Sequence, residues 1–477
     1  MIVSRFVSIQ KICRKENIMK TKKFLTMVLA LALVCSFFTG FAGKAMADVN
    51  YADEDVYKLV AESKDPVHLI YWSSRDASSS LGSRWAECFQ KYCESFPDGK
   101  VTGDYVYINN TSYQEIAEKI PIAAVAHELP QIMITEDANV MQYQDILLNL
   151  NNWVAPATMD NINAGLMQSC TNLEGEKYGV PIGRSAVCLY VNNDILKKYG
   201  IDYETDLKTW DGFKAASDKI YAESKGETYG WALNLDWDCW YMESFIYSAG
   251  GQFLSDDGSH ATFGKDYGYV GAEWLKLIQD QFASGSCVNL YDAEDPDTEE
   301  ENYFFDQKCA MLFQTTSGYS NYSKLAAEKG FELVPVPQPA MEGCEPSIVS
   351  GGACLVVLDN DYDTDLTKKV AAAFIEWMMK DEWVVDFALA KSYFLSTYSA
   401  MNDPQIQSRL AEDVNWQRIY DMADLVHKRA ASSCWTEITD YLNDRQRTFI
   451  WETEGADVYQ LIDTWEAKVN EIIENNQ

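Results

Sequence analysis

Histidine is scarce in this chain, with four in 477 residues. His68, His127, His260 and His427 stand far apart, and no H-E-x-x-H, G-x-S-x-G or phosphate-loop motif occurs. The usual sequence marks of a zinc hydrolase, a serine nucleophile elbow and a nucleotide cradle are therefore missing. Basic residues are few as well: 39 Lys and Arg stand against 72 Asp and Glu, a net charge of −33. Such a surface repels nucleic acid, anionic lipid and anionic solutes at long range. There is no C-x-x-C, no internal repeat and no low-complexity linker. The acidic stretch 359–370 imitates the start of a calcium loop, but Thr364 stands where the turn glycine belongs and Val370 where the bidentate glutamate belongs. It reads as an acidic loop before a helix, and no metal or cofactor is expected. Residues 291–302, "YDAEDPDTEEEN", read as a second, solvated acidic loop.

The N-terminal region carries a different signal. After Met19 come Lys20, Lys22 and Lys23, an apolar run, then Ala45, Met46 and Ala47. A basic n-region, an apolar h-region and an A-x-A site define a secretory signal peptide, so residues 1–47 are set apart from the fold, and residues 1–18 match no part of that signal. The rival readings are an uncleaved membrane anchor, since the run is long enough to span a bilayer, and a lipid anchor on Cys35, which Val34 disfavours. Without residues 1–47, 31 basic and 71 acidic residues remain, a net charge of −40. Ten of the twelve cysteines remain too. An exported chain would be expected to pair them, yet Cys188, Cys309 and Cys354 sit in apolar strand-like runs where cysteine acts as a small hydrophobe. Mostly reduced, buried thiols are the expectation, with a disulfide framework as the alternative.

The remaining 430 residues suffice for two or three domains or one large two-lobed body. Apolar β-rich runs alternate with helical patterns, which argues α/β. Strands are expected at 67–72, 101–109 and 129–135, with helices at 83–96 and 113–128 between them, a βαβαβ start. Parallel sheets place ligands outside the carboxyl ends of their strands, which points to the loops opening at Ser73 and Glu136. Asn192 and Thr209 read as helix N-caps and Gly200 as a C-terminal glycine. Further strands are expected at 309–313 and 354–358, and helices at 370–390 and 458–475.

Five stretches in this order have a family look: "TSYQEIAEKIPIAAVAHELPQIMIT", "KYGVPIGRSAVCLYVNNDILKKYGID", "TWDGFKAASDKI", "DQKCAMLFQTTSGYSNYS" running on to "VPVPQP", and "IVSGGACLVV". They span residues 111–357, and the chain resembles the family 1 extracellular solute-binding proteins that feed carbohydrate-type ABC importers, in the branch of the sugar and glycerol-3-phosphate binders. The resemblance implies a two-lobed periplasmic-binding-protein-like α/β fold with ligand in the cleft. It also implies a hinge crossed near Arg184, Lys308 and Ser350, so that 48–184 and 308–349 form one lobe and 185–307 and 350–477 the other. The implied partners are a small carbohydrate and the permease subunits, with the protein a monomer that binds no nucleic acid. A secreted glycoside hydrolase, suggested by abundant Trp, Tyr and acids, is the rival class.

Candidate ligand residues follow from strand ends and chemistry. Ser73, Ser74, Arg75 and Asp76 follow the first strand, and Glu136, Asp137 and Asn139 the third, where carboxylates suit vicinal hydroxyls. Trp237 and Trp240 lie among acids and offer flat faces to a sugar, although their spacing favours one being core. Ser317, Gly318 and Tyr319 end the run Cys309 to Thr315, where a strand meets hydroxyls, a glycine and an aromatic; an ordinary helix cap is the bland alternative. Arg184, Gly351 and Gly352 lie at implied crossings, and Tyr393 matches the family's aromatic position, though Ser392, Tyr393 and Phe394 replace its Gly-Tyr-Pro pattern. The branch's phosphate-binding arginine falls on Ala431 or Ser432, with Arg429 displaced, which counts against a phosphorylated ligand.

Overall fold

The computed structural model describes residues 51–476 except 53, 98, 109–113, 236–238 and 452. The N-terminal signal and Trp237 thus lie outside the described residues.

The βαβαβ start is present as β1 (Val67–Ser73), β2 (Val101–Tyr107) and β3 (Ile132–Glu136), with β1 parallel to both neighbours. The helix Ser80–Glu94 joins β1 to β2, starting where the Ser79 hydroxyl accepts from the Gly82 amide. Its Leu81, Trp85, Cys88, Phe89 and Tyr92 recur every three or four residues and form the buried stripe. β4 (Val180–Asn192) is buried along its whole length, as expected of a strand covered on both faces. The other main strands are β5 (Tyr229–Leu233), β6 (Cys287–Asn289), β7 (Cys309–Thr315), β8 (Leu333–Val336) and β9 (Ile348–Val357). A short β10 (Val426–His427) pairs with β9. The sheet runs β2-β1-β3-β9-β4-β7-β5-β6, with β8 on β4.

Two strands bridge the halves of this sheet. β4 and β9 run antiparallel, with Arg184 opposite Gly352 and Ala186 opposite Ser350. The first part of β4 and the last part of β9 share a core with β1 to β3 and the helices Asp365–Met378 and Asp381–Lys391. The second part of β4 packs with β5 and β7 and with helices that include Trp210–Glu223, Trp240–Ser248 and Val458–Asn475. A third cluster on that second half gathers Cys188, Tyr190, Leu312, Tyr319 and Tyr322 with Phe394 and Trp416.

This arrangement corrects the expected lobe boundaries. β7 pairs with Val187 to Val191 and with β5, so residues 309–315 belong with the second half, not with 48–184. Lys308 is no crossing, since its carbonyl accepts from the Tyr229 amide at the start of β7. Residues 353–357 and the helix Asp365–Met378 return to the first half, where the expectation put them in the second, and the helix Asp381–Lys391 divides its buried residues, Trp383 and Phe387 facing the first-half core and Val384, Val385 and Ala388 the third cluster. The expected helix at 370–390 is two, parted at Met379 and Lys380, a break that no glycine or proline marks. Residues 291–302 are not simply a solvated loop. Asp295 caps the helix Pro296–Phe305, and Glu300 on it is 1% exposed. The bounds Val458–Asn475 and the caps at Asn192 and Thr209 agree with the sequence reading.

Candidate functional site

The carboxyl ends of β3 and β7 flank the stretch where β4 and β9 cross between the halves, with Glu136 opposite Ala353 and Thr315 opposite Val187, and such strand ends are where a parallel sheet offers a ligand. The centre of the junction is an ion pair. Arg184 Nη2 donates to Asp137 Oδ2, which also accepts from Ser350 Oγ at 2.7 Å and from Ser169 Oγ at 3.2 Å. Both charged side chains are 0% exposed. Burying two charges is costly unless each is paired and hydrogen-bonded, and here the two hydroxyls join the arginine at Oδ2, while Oδ1 and Arg184 Nε are buried without a hydrogen-bond partner among the described residues. Burial pushes the Asp137 carboxyl up, but the charges of Arg184 and Arg429 and the bonds from Arg184 and Ser350 outweigh it and hold it below the usual carboxylate range. These two residues therefore tie β3 to β4 and β9.

A second charged group spans the halves. Arg429 Nε donates to Glu243 Oε2 at 2.9 Å, and its Nη1 donates to Glu136 Oε1 at 2.7 Å. Glu243, on the helix Trp240–Ser248, also accepts from the Ala430 amide at 2.6 Å. Arg429 lies over the Trp435 ring at 5.3 Å from its centroid. Beside it Gln142 of the first half accepts from the Thr436 amide at 3.2 Å and its hydroxyl at 3.0 Å, at the start of the helix Trp435–Trp451. Glu243 was missed at the sequence level, although a lone acid in a helix whose every residue is buried was a readable sign that a cation must approach it.

The glycines have steric reasons. A Cβ on Gly352 would lie 2.0 Å from the Gly183 carbonyl oxygen, and its φ of +105° suits glycine alone. A Cβ on Gly351 would come within 2.7 Å of Trp240 Cζ2, and Trp240 donates its Nε1 to the Ser350 carbonyl at 2.9 Å. Trp240 is thus packed into the crossing, as its spacing from Trp237 allowed for one of the two. Tyr393 lies over Gly183, where a Cβ would come within 3.2 Å of the tyrosine ring, and the Phe394 amide donates to the Arg184 carbonyl.

At the end of β7 the hydroxyls serve first as structure. Thr315 accepts from the Ser317 amide, Thr316 Oγ1 accepts from the Ala186 amide at 3.2 Å, and Tyr190 donates to the Thr315 carbonyl. Tyr319 is buried in the second half and donates to Asp413 at 2.8 Å. Ser317 and Gly318 remain half-buried at the helix start. In the first half Ser73 is buried and accepts from Tyr105 at 2.7 Å, and the buried hydroxyl of Ser74 and Oδ1 of Asn139 have no partner among the described residues. Asp76 accepts from the Ser78 amide and hydroxyl, which lower its pKa. Arg75 is half-buried, near enough to Lys391 that burial first and then the arginine's charge lower the lysine's pKa.

Two cores bridged by antiparallel strands, with charged pairs at the bridge, form a two-lobed α/β binding protein. The chain belongs to the bacterial extracellular solute-binding proteins, whose family model matches residues 76–385. It is 37% identical over 221 residues to a binding protein of Brucella abortus, covering 45% of this chain and 49% of that protein. It is 25% identical over 234 residues to the sn-glycerol-3-phosphate-binding periplasmic protein of Shigella flexneri, covering 47% of this chain and 50% of that one. The chain spans about half the length of the curated relatives it matches. In fold it is similar to the cyclic alpha-maltosyl-1,6-maltose binding protein of Arthrobacter globiformis, with a TM-score of 0.71 at 20% identity over 86% of this chain and all of that one. A Mycobacterium tuberculosis protein solved with glycerophosphocholine gives 0.70 at 18% identity over 87% of this chain and 99% of that one. The family is one of binding proteins, and the hydrolase reading falls with it. Among the described residues no helix is long and apolar enough to cross a membrane.

Proposed function

We propose that this protein is the exported substrate-binding component of an ABC-type importer. As a monomer it captures a neutral sugar or oligosaccharide between its lobes and passes it to a membrane permease. The observation that carries the choice of ligand is the pairing of charge at the junction: Arg184 and Arg429 already hold Asp137, Glu136 and Glu243. An anion entering there would meet cations whose charge is answered, inside a strongly acidic molecule. A polyol can donate to carboxylates such as Asp76 and Glu136, and the orphaned oxygens of Ser74 and Asn139 are of the kind a hydroxyl satisfies.

One observation favours a second reading. Arg75 and Lys391 bring two cations together at the end of β1 and beside Tyr393. Such a pair suits a phosphate ester. A thermal-shift panel separates the readings, since a ligand at 100 times its Kd stabilises the folded state by about 2.7 kcal/mol. Neutral mono- or oligosaccharides are expected to raise the melting temperature, with glycerol-3-phosphate and sugar phosphates inert. Stabilisation by the phosphate esters alone would reverse the assignment.

A further inference from the structure

Ten cysteines lie in the described part of the chain, and two of them touch. Cys170 Sγ and Cys354 Sγ are 3.1 Å apart, both fully buried, and 184 positions apart in sequence. Cys170 ends the turn Gln168–Cys170, and Cys354 stands on β9 between Thr135 of β3 and Pro181 of β4. A sulfur–sulfur bond is about 2.05 Å long, so each sulfur needs to move by roughly 0.5 Å, within the reach of a χ1 adjustment. Arg184 Nη1 lies 3.8 Å from Cys354 Sγ, so the pair sits against the buried ion pair of the junction.

We propose that Cys170 and Cys354 are a disulfide-forming pair. The oxidant is a small disulfide of the glutathione type. One cysteine thiolate attacks it, forming a mixed disulfide and expelling one glutathione thiolate. The second cysteine thiolate then attacks the protein sulfur of that mixed disulfide, closes the protein S–S bond and expels the other glutathione thiolate. Two protein thiols are oxidised, one glutathione disulfide is reduced, and the two protons end on glutathione. Burial holds the Cys170 thiol well above its usual range in the folded protein, so the bond forms as the chain folds, before the pair is covered. Once closed, it fastens the 168–170 turn to β9. Ser169 next to Cys170 and Ser350 on β9 both bond Asp137, so the cross-link braces the floor of the Arg184 pair.

The test uses the full chain. Reduced protein is unfolded in urea, refolded in a glutathione redox buffer, quenched with iodoacetamide in denaturant and mapped by peptide mass spectrometry. Of the ten cysteines from Cys88 onward, eight are expected to be alkylated, with one cross-linked peptide joining residues 170 and 354. Ten alkylated cysteines, or a cross-link between other positions, would overturn the proposal. Cys354→Ser should leave all nine remaining cysteines from Cys88 onward alkylated. The oxidised wild type should unfold at a higher urea midpoint than the same protein in dithiothreitol, and Cys354→Ser should show no such shift; equal midpoints for the oxidised and reduced wild type would also overturn it.

Discussion

Replacing Arg429 by methionine isolates the charge that joins the two lobes. Its guanidinium is 1% exposed, Glu243 is 0% exposed and Glu136 is 18% exposed. Losing the arginine would leave Glu243 ionised and buried, with the Ala430 amide among its remaining donors. Removing one partner of a buried pair costs about 3–5 kcal/mol, whereas a partly exposed carboxylate such as Glu136 loses only about 0.2–1 kcal/mol. Nearly all the expected loss therefore comes from Glu243. Arg429→Met should lower the urea-unfolding free energy at pH 8 by about 3–5 kcal/mol, and adding Glu243→Gln should restore most of it. The pH dependence follows from where the proton sits. In the single variant Glu243 would have a raised pKa in the folded state, so the native protein binds more protons than the unfolded one and gains stability as pH falls toward the ordinary glutamate value of about 4.3. The deficit should be smaller at pH 5 than at pH 8. A loss under about 1 kcal/mol at both pH values, or a double variant less stable than Arg429→Met, would refute the reasoning.

Other outcomes follow from the same geometry. Gly352→Ala should destabilise more than Gly351→Ala in thermal melts, because it combines a positive φ with a backbone clash at 2.0 Å, whereas Gly351→Ala meets an indole and should cost about 1–3 kcal/mol. Burial, with Asp297 and Glu301 nearby, holds Glu300 well above the usual carboxylate range, and its Oε2 has no partner beside a small cavity lined by Trp210, Trp231 and Tyr241. Glu300→Gln should therefore be more stable than wild type at neutral pH, and the gap should shrink as pH falls toward about 4.5; a gap independent of pH would contradict this. Nine of the ten described cysteines are buried and Cys344 is half-buried, so a thiol reagent should label one site quickly in native protein. Several fast-reacting sites would show that the cores are less closed.

Local order was legible where one physical rule acted alone. Asn192 and Thr209 are caps because each side chain accepts from an amide three residues on, and that pattern is written in consecutive residues. The strand runs were legible because β4 and β9 are buried along nearly their whole length. Lobe membership was not, because nothing local in 309–315 says that β7 pairs with the second part of β4. Site residues suffered in the same way. Asp137 and Arg184 have the chemistry of ligand contacts, but which of them is spent on a partner depends on a meeting across 47 positions of sequence. Tyr319 reads as a cleft aromatic in the sequence, and only the fold brings its hydroxyl to Asp413, 94 positions away. Arg429 stood two or three positions from the place the family pattern indicated, and its role became visible only with both glutamates in view.

On the function proposed above, two lobes joined through β4 and β9 close on a bound sugar. A ligand shifts the population toward the state it binds better, and for a hinged receptor that state is the compact one. Small-angle X-ray scattering of the full chain, with and without the neutral oligosaccharide that gives the largest thermal shift, tests this directly. A smaller radius of gyration at saturating ligand is the result the account predicts, and an unchanged radius at saturation would contradict it.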